Sequence, residues 1–401
     1  MKPTEKISTS SQNGRSQGKN LFYNPTFRAA AIQIIAIFLL FFFFYTIVNN
    51  ALNNLESRGI ATGFDFLHQE AGFGIGLSLI DYNETYSYGR TFVVGLLNTA
   101  LVSFLGIILA TVLGFVIGIA RLSSNWLVSR FAAVYIETFR NIPLLLQIFF
   151  WYFAVLQALP SPRQSMSLGE AFFLNVRGLY MPAPVFESGS SFVLLALLAG
   201  ICASVVINVW ANNKQKLTGQ QTPMGRIVLL LCVVFPVVVY FLMGSPISAE
   251  YPALKGFNFT GGISIIPELA ALLLALSIYT ASFIAEIVRS GINAVSHGQT
   301  EAAMSLGLSR TKTLKLVVIP QALRIIIPPL TSQYLNLTKN SSLAMAIGYP
   351  DLVSVFAGTT LNQTGQAIEI IAMTMAVYLT LSLLTSAIMN TYNRKVALVE
   401  R

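Results

Sequence analysis

Four charged or polar residues stand within strongly apolar stretches, and they carry the chemistry that this sequence offers. Ser282, Glu286 and Arg289 follow one another at i, i+4 and i+7, so a helix places them on one face. Lys339 lies at the end of another apolar stretch. A charged group inside a membrane segment is costly and is by default a functional candidate. These residues can pair with one another, or they can bind the charged groups of a solute.

The remaining reactive residue types form no catalytic or metal-binding pattern. The two histidines, His68 and His297, are too few and too far apart for a metal site. Cys202 and Cys232 each lie inside an apolar run, which indicates free thiols rather than a disulfide framework. The sequence contains no phosphate-binding loop of the G-x-x-x-x-G-K-[ST] type. We therefore expect no catalytic residue, no metal site and no cofactor.

The composition predicts an all-α polytopic membrane protein. The chain has 401 residues, of which 54% are hydrophobic and only 10% are charged. Its net charge of +9 would suit a nucleic-acid-binding protein, but the basic residues lie at the ends of apolar runs. Orientation in a membrane requires that distribution, so we expect the lipid bilayer as a partner and no nucleic acid.

Eight apolar runs are long enough to predict transmembrane helices. They cover about 29–48, 91–119, a stretch after Tyr135–Gln147 that ends near Leu159, 191–211, 227–243, 265–288, 321–340 and 367–390. Pro328 and Pro329 are expected to interrupt the seventh helix, because proline removes a helical hydrogen bond and clashes with the preceding turn. Residues 341–366 are expected to form a re-entrant turn or a short outer helix.

The distribution of basic residues predicts the orientation. Eight helices put both chain ends on one side, and placing that side in the cytoplasm puts most of the 25 Lys and Arg residues on inner segments. This asymmetry follows the positive-inside rule. The basic residues on outer segments are Arg58, Arg90, Arg163, Arg177 and Lys255.

Two local patterns predict contacts between or within helices. Ala110, Gly114 and Gly118 recur every four residues, a spacing that allows two membrane helices to approach closely. Glycine is also tolerated in membrane helices without such a contact, so this pattern has two explanations. Glu137 and Arg140, which follow a predicted short inner loop, can pair at i, i+3 near the inner interface.

A long polar, helix-forming segment, Ser296–Gln321, separates the sixth and seventh predicted spans. Ser296 and Gln299 have the spacing of a capping box, and Gly307 suits a left-handed position that ends a helix. Pro320 then marks the entry to the next apolar segment. The segment is therefore predicted to form two short helices joined by a turn.

This segment resembles the EAA loop of ATP-binding-cassette importer permeases. The resemblance rests on Glu301, Ala302, Ala303, Gly307 and Pro320 at the spacing of that loop. The family's usual ending is Ile-x-Leu-Pro, and this chain departs from it conservatively with Val-Val-Ile-Pro. The resemblance implies that these five residues form a cytoplasmic coupling helix and turn that dock into an ATP-binding subunit.

Two further stretches resemble the polar-amino-acid branch of the same family. They are the Glu-x-x-Arg-x-x-Pro-Leu-Leu-x-Gln run at 137–147 and the helix at 279–291 that leads into the EAA loop. The resemblance implies a type I importer permease core in a bacterial inner membrane. Its implied partners are a cytoplasmic ATP-binding subunit, a periplasmic amino-acid-binding protein and a second permease subunit, which is either a second copy or a related chain.

Four regions follow from these patterns. Residues 1–28 are expected to be a disordered cytoplasmic tail, and 29–90 an added anchor helix with a periplasmic loop. Residues 91–391 are expected to form the permease domain, with an inserted helix pair at about 190–245 and a proline-rich outer loop before it. Residues 392–401 are expected to be a second cytoplasmic tail.

The polar residues of the last spans define a candidate substrate path, namely Ser282, Glu286, Asn336, Lys339 and Ser341. An amino-acid zwitterion needs a cation for its carboxylate, and Lys339 can supply it. Lys339 can equally be an anchor that extends to the outer interface. Glu286 and Arg289 can likewise form a structural ion pair or take part in gating.

Two other classes of protein compete with an importer permease. A secondary transporter would need no ATPase, but it would carry a denser set of intramembrane acids than this chain has. A membrane enzyme or assembly factor would need a reactive site, and the sequence shows no nucleophile–base pair or metal cluster.

Overall fold

The computed structural model describes residues 25–57, 59 and 62–396. The chain divides into two compact units. One unit contains the residues up to Phe64 together with Thr364–Glu369, and the other contains Asp65–Gln363 and the residues from Ile370 onward. The predicted N-terminal tail as far as residue 24 and the last residues from 397 lie outside the described part.

The chain is mostly helical, which confirms the predicted fold class. Seven of the described helices are long and apolar enough to span a membrane, or eight if a bent pair counts as one span. The helices are α1 (Pro25–Ser57), α2 (Tyr88–Arg121), α3 (Trp126–Asn141), α4 (Leu144–Leu156), α5 (Ser190–Thr218), α6 (Met224–Leu242), α7 (Pro267–Asn293), α8 (His297–Ser305), α9 (Arg310–Ile347), α10 (Val353–Thr360) and α11 (Ala367–Val396).

The first unit contains α1, which begins earlier and ends later than the predicted span at 29–48. Its described side chains are almost all exposed, including a run of four phenylalanines at 41–44. A helix that is apolar on all sides requires lipid or protein around it. In the same unit, the Gly63 N–H donates a hydrogen bond to Glu369 Oε1 at 2.6 Å.

The second unit contains strands where the sequence predicted proline-rich loops. Eight short strands lie before α5 and after α6: β1 (Met166–Leu168), β2 (Phe172–Asn175), β3 (Gly178–Met181), β4 (Ala183–Phe186), β5 (Ile247–Glu250), β6 (Ala253–Lys255), β7 (Asn258–Thr260) and β8 (Ile263–Ile265). An antiparallel sheet has the order β1-β2-β3-β8, and β4–β5 and β6–β7 form separate pairs. Strands this short carry too little periodicity to predict from sequence.

The inserted helix pair is closed at one end by a β ladder. β4 leads into α5, β5 follows α6, and the two strands pair from Ala183 with Glu250 to Phe186 with Ile247. Pro184 is tolerated there because β4 is an edge strand of a two-stranded sheet. Within the pair, Gly200 lies directly on the backbone of Leu231, so α5 and α6 are in backbone contact.

The third predicted span differs most from the structure. The inner loop is only a few residues long, and α3 begins at Trp126 after Asn125, whose side-chain oxygen accepts from the N–H groups of Leu127 and Val128. Such an N-cap satisfies donors that the first helical turn leaves free. α3 then ends before Pro143, and α4 continues at an angle of 106°. The span is therefore a broken helix rather than one straight segment.

The predicted interruption at Pro328 and Pro329 is wrong, because α9 continues through both residues. The second short helix of the polar segment is also not separate, since it is the first turn of α9. A wide π turn at Leu314–Val318 joins the two parts, and there the Ile319 N–H donates to the Leu314 carbonyl. A wider turn displaces the carbonyls with which the ring of Pro320 would clash.

The close approach predicted from Gly114 and Gly118 is confirmed, and the partner is α7. A Cβ on Gly114 would lie 2.6 Å from the Ile284 side chain, and a Cβ on Gly118 would lie 2.8 Å from the Ala285 carbonyl oxygen. Residue numbers rise together along both helices at these contacts, so α2 and α7 run parallel. In lipid, where no hydrophobic force joins helices, such backbone contact supplies the packing energy.

We predict that Gly114→Ala destabilises the protein by about 1–3 kcal/mol, because the added methyl group overpacks the contact with Ile284. The matched control is Gly225→Ala in α6, where a Cβ meets no atom within 4 Å and alanine favours the helix. Thermal unfolding of the two variants in detergent measures the difference. Equal unfolding temperatures would contradict the close packing of α2 and α7.

Candidate functional site

The polar segment forms a short exposed helix followed by a glycine turn. α8 ends at Ser305, and Gly307 adopts a left-handed conformation with φ +79°. The Gly307 N–H donates to the Met304 carbonyl at 2.9 Å, and the Leu308 N–H donates to the Ala303 carbonyl at 3.2 Å. This is the geometry of a helix end closed by glycine, as the sequence predicted.

α8 packs through one buried residue, and most of its remaining surface is exposed. Ala303 is buried, whereas Glu301 and Ala302 are exposed, and beside them Leu306 exposes 84% of its surface. The predicted capping box is not formed, because the Ser296 side chain makes no capping bond and only its carbonyl accepts from Gln299 N–H. Pro320 is the second residue of α9 after the π turn.

Glu286 and Arg289 form an ion pair on α7. Arg289 Nε and Nη2 donate to the two carboxylate oxygens at 2.9 and 2.5 Å, a bidentate arrangement. Arg140 does not pair with Glu137 as predicted; its guanidinium lies over the Phe283 ring, 5.3 Å from the centroid.

The two serines of the predicted path are fully buried. The Ser282 hydroxyl donates to the Tyr279 carbonyl at 2.6 Å, and the Ser341 hydroxyl donates to the Thr338 carbonyl at 2.8 Å. Both hydroxyls are therefore engaged by their own helices. The members of the predicted set with exposed side chains are Asn336 and Lys339, which lie at i, i+3 on α9.

Lys339 lines a groove of about 490 Å³ between α9, α10 and α11. The groove carries hydroxyl groups and one cation, and no carboxylate is among its lining residues: Lys339, Ser342, Val353, Thr374, Met375, Tyr378, Leu379 and Ser382. Among the residues that the structure describes, Lys339 has no ion-pair partner. The groove is large enough for an amino acid and presents an uncompensated positive charge.

The turn between α9 and α10 is fastened to α2 by polar contacts that the sequence analysis missed. Asn98 Nδ2 donates to the Pro350 carbonyl at 2.9 Å, and Thr99 Oγ1 accepts from the Leu352 N–H at 3.0 Å. A Cβ on Gly95 would lie 2.9 Å from Leu352 Cα, so the turn rests on the α2 backbone. These contacts fix one wall of the groove.

A buried carboxylate stands at the centre of this turn. Asp351 has no exposed surface, and its Oδ1 accepts from the Ser354 N–H at 2.8 Å. Its Oδ2 accepts from the hydroxyl of Tyr378 on α11 at 3.3 Å. A single acid after Gly-Tyr-Pro in an apolar stretch was the available signal, because charged groups at such depth are rarely incidental.

Gln147, the last residue of the run at 137–147, connects α4 to the end of α3. The side chain is buried, and its Nε2 donates to the carbonyls of Phe139 and Ile142, both at 3.0 Å. These carbonyls lie at the end of α3, where helical N–H partners are missing. Gln147 on α4 therefore joins the two halves of the broken helix across Pro143.

The structure thus combines membrane-spanning helices with an exposed helix and glycine turn at α8 and a solute-sized groove beside Lys339. The chain belongs to the family of binding-protein-dependent transport system inner membrane components, whose family model matches residues 106–398. It is a multi-span permease component of the ATP-binding-cassette class. Membership implies an ATP-binding subunit and a substrate-binding protein as partners.

Three relatives match along nearly the whole chain. The putative amino-acid ABC transporter permease protein YhdX of Escherichia coli is 56% identical over 96% of this chain and 98% of its own. The general L-amino acid transport system permease protein AapQ of Rhizobium johnstonii is 51% identical over 96% of each. A glutamate/glutamine/aspartate/asparagine permease, BztB of Rhodobacter capsulatus, is 42% identical over 95% of this chain and 96% of its own.

These relatives favour an ATP-binding-cassette permease over a secondary transporter. The aligned portions cover almost all of this chain and of each relative, so they include the added helix α1 and the inserted pair of α5 and α6. The additions are therefore shared with these relatives and are not peculiar to this chain.

We predict that Gln147→Leu destabilises the protein by about 1–3 kcal/mol, because it leaves the partly buried carbonyls of Phe139 and Ile142 without this donor while keeping the side-chain volume. Gln215→Leu on the exposed surface of α5 makes the same chemical change without that loss. Thermal unfolding in detergent compares them. If both variants unfold at the wild-type temperature, Gln147 does not hold the break together.

Proposed function

We propose that this chain is the permease subunit of an ATP-driven importer that carries L-amino acids across a bacterial inner membrane. A separate periplasmic binding protein would deliver the amino acid, and a separate cytoplasmic subunit would bind and hydrolyse ATP. A second permease chain would complete the path. The observation that carries the proposal is the exposed α8 helix with its glycine turn, in a chain of this family.

The substrate class is supported by two independent lines. All three relatives described above are named as permeases for amino acids. The groove beside Lys339 is large enough for a small zwitterion, and its mostly apolar surface carries one cation and several hydroxyl groups. Amino acids carry a carboxylate, and the exposed ammonium group of Lys339 would be its counter-ion.

The helix α9 supplies a direct mechanical link between the docking loop and the groove. It begins at Arg310, just after the Gly307 turn, and it is continuous past Lys339 to Ile347. At 1.5 Å per residue, Arg310 and Lys339 are roughly 45 Å apart along one helix. A partner that moves α8 on ATP binding would therefore move the groove wall as a rigid element.

The orientation belongs to the same proposal. Docking to an ATP-binding subunit requires Glu301, Ala302, Ala303 and Gly307 to lie in the cytoplasm. The distribution of Lys and Arg independently favours that side, and it places both chain ends there too. The short strands before α5 and after α6 would then face the periplasm, where the binding protein docks.

We predict that Gly307→Asp abolishes binding of the ATP-binding subunit and ATP-dependent uptake, while membrane insertion is unchanged. The left-handed conformation strains an aspartate by about 1 kcal/mol, and the new charge would face the partner. Co-purification with the ATP-binding subunit and uptake into proteoliposomes measure the two effects.

The matched control for this variant is Gly219→Asp. Gly219 also ends a helix in the left-handed conformation, with φ +71°, and a Cβ there meets no atom within 4 Å, as at Gly307. The control therefore imposes the same strain and charge away from the docking loop. Uptake that is normal in both variants, or lost in both, would contradict the coupling role of Gly307.

We predict that Lys339→Gln lowers amino-acid uptake about tenfold or more, since a hydrogen bond to a charged group contributes about 1.5–3 kcal/mol. Glutamine keeps length and polarity but loses the charge that would meet the carboxylate. The readout is uptake in a reconstituted complex with its ATP-binding subunit bound. Lys216→Gln, an exposed position at the end of α5, is the control. An unchanged rate and apparent affinity would make Lys339 an anchor instead.

A further inference from the structure

A cavity of about 520 Å³ lies between α5, α6 and the ladder of β4 with β5. Its walls are almost entirely apolar and include the side chains of Phe186, Val193, Leu194, Leu197, Pro236 and Ile247. An engineered apolar cavity of about 150 Å³ stays dry and binds benzene. Water is therefore a poor occupant of this larger apolar space, which suits a hydrocarbon chain.

Two contacts keep this cavity open. At one end Gly200 lies against the backbone of Leu231, so that α5 and α6 touch there. At the other end the ladder pairs Phe186 with Ile247. The lining residues of both helices lie along the chain between these two contacts, so closing the space would break one of them. An empty apolar space loses the dispersion contacts of its lining, and an occupant restores them.

The cavity opens on the apolar outer surface of the helix pair. Leu194, which lines it, exposes 59% of its surface, and Phe192 and Leu195 beside it are exposed as well. α5 and α6 pack mainly on each other and on the adjoining strands, and not on the other spanning helices. In a bilayer, lipid surrounds an apolar helix pair of this kind. The hydrocarbon that reaches the cavity is therefore an acyl chain.

The rim of the cavity carries a carboxylate, that of Glu187. This residue follows Phe186 in the lining, and its carbonyl accepts from the Ser190 N–H at 3.1 Å. Its Oε1 accepts from the Ser248 hydroxyl at 2.8 Å, which leaves further acceptor capacity on an exposed carboxylate. In the part of the chain that the structure describes, Glu187 makes no ion pair.

The charge of this rim decides which headgroup fits. No Lys or Arg occurs in 178–213 or in 227–254, the segments that form the cavity and its rim. A rim with a carboxylate and no cation repels anionic lipids and attracts a positive group. A primary ammonium group has three N–H donors for a carboxylate. The headgroup that offers both the positive charge and the donors is ethanolamine.

We propose that this cavity binds one phospholipid with an ethanolamine headgroup. An acyl chain fills the apolar space, and the ammonium group meets the carboxylate of Glu187. Ser190 and Ser191 also line the cavity, and their hydroxyls can donate to the phosphate that joins the headgroup to the chains. The lipid holds α5, α6 and their ladder together as one unit.

The test uses the full-length chain, purified in detergent and freed of lipid. Ethanolamine, choline and glycerol phospholipids with identical acyl chains are added in turn, and native mass spectrometry measures the bound lipid. We expect the ethanolamine lipid to bind about fivefold or more tightly than the choline lipid, because choline has no N–H donor for Glu187. The anionic glycerol lipid is expected to bind more weakly than the ethanolamine lipid.

Two variants separate the headgroup from the chain. Glu187→Gln is expected to remove the preference for ethanolamine over choline, and its control is Glu250→Gln at the opposite end of the same ladder. Leu197→Trp fills the cavity and is expected to lose all three lipids. Its control is Leu198→Trp, an exposed position of α5 outside the lining, which is expected to bind lipid as the wild type does.

Equal affinity of the wild type for ethanolamine and choline lipids would overturn the assignment, as would a preference that survives Glu187→Gln. Unchanged lipid binding by Leu197→Trp would place the acyl chain elsewhere and overturn it too. A wild-type chain that binds none of the three lipids would mean that a protein segment fills the cavity, and the proposal would fail. If Leu197→Trp does not fold, the comparison of Glu187→Gln with Glu250→Gln decides, since both changes lie on the exposed surface.

Discussion

The direct contact between the backbones of α2 and α7 is the constraint on which the rest of this structure depends. Two parallel helices touch at Gly114 and Gly118, where carbonyl oxygens and the Ile284 and Val288 side chains of α7 lie against the two glycines. α9 then packs on the same pair, with Leu337 against Gly106 and Ile326 against Gly291. Small residues on α2 and α7 allow these three helices to pack closely. The groove on α9 and the turn that α2 holds are therefore supported by the same pair of helices.

Much of this arrangement could be predicted from the sequence. The lengths of the apolar runs gave most of the spans, and the spacing of Gly114 and Gly118 gave a close helix contact. The turn in the EAA segment could be predicted because it requires a left-handed backbone conformation. Glycine adopts that conformation readily and few other residues do, and Gly307 stands at that position. Each of these signals is local, since a few neighbouring residues determine the outcome.

The groove and the strands could not be predicted in this way. Asp351, Tyr378 and Asn98 lie far apart in the sequence, and only the packing of α2 and α11 around one turn brings them together. Continuity of α9 through Pro328 and Pro329 likewise depends on neighbours that hold the helix, and not on propensity. Sequence patterns report propensity and periodicity, whereas these features depend on contacts between distant segments.

The ladder between β4 and β5 has a consequence for how this protein could have acquired its extra helices. Phe186 and Ile247 face each other directly in that ladder, so the chain leaves for α5 and returns from α6 at one point. The segment between Phe186 and Ile247, which contains α5 and α6, therefore takes the place of the loop in a β-hairpin. Loop-closure entropy rises only slowly with length, so a helix pair gained or lost there would leave the ancestral core nearly as stable as before.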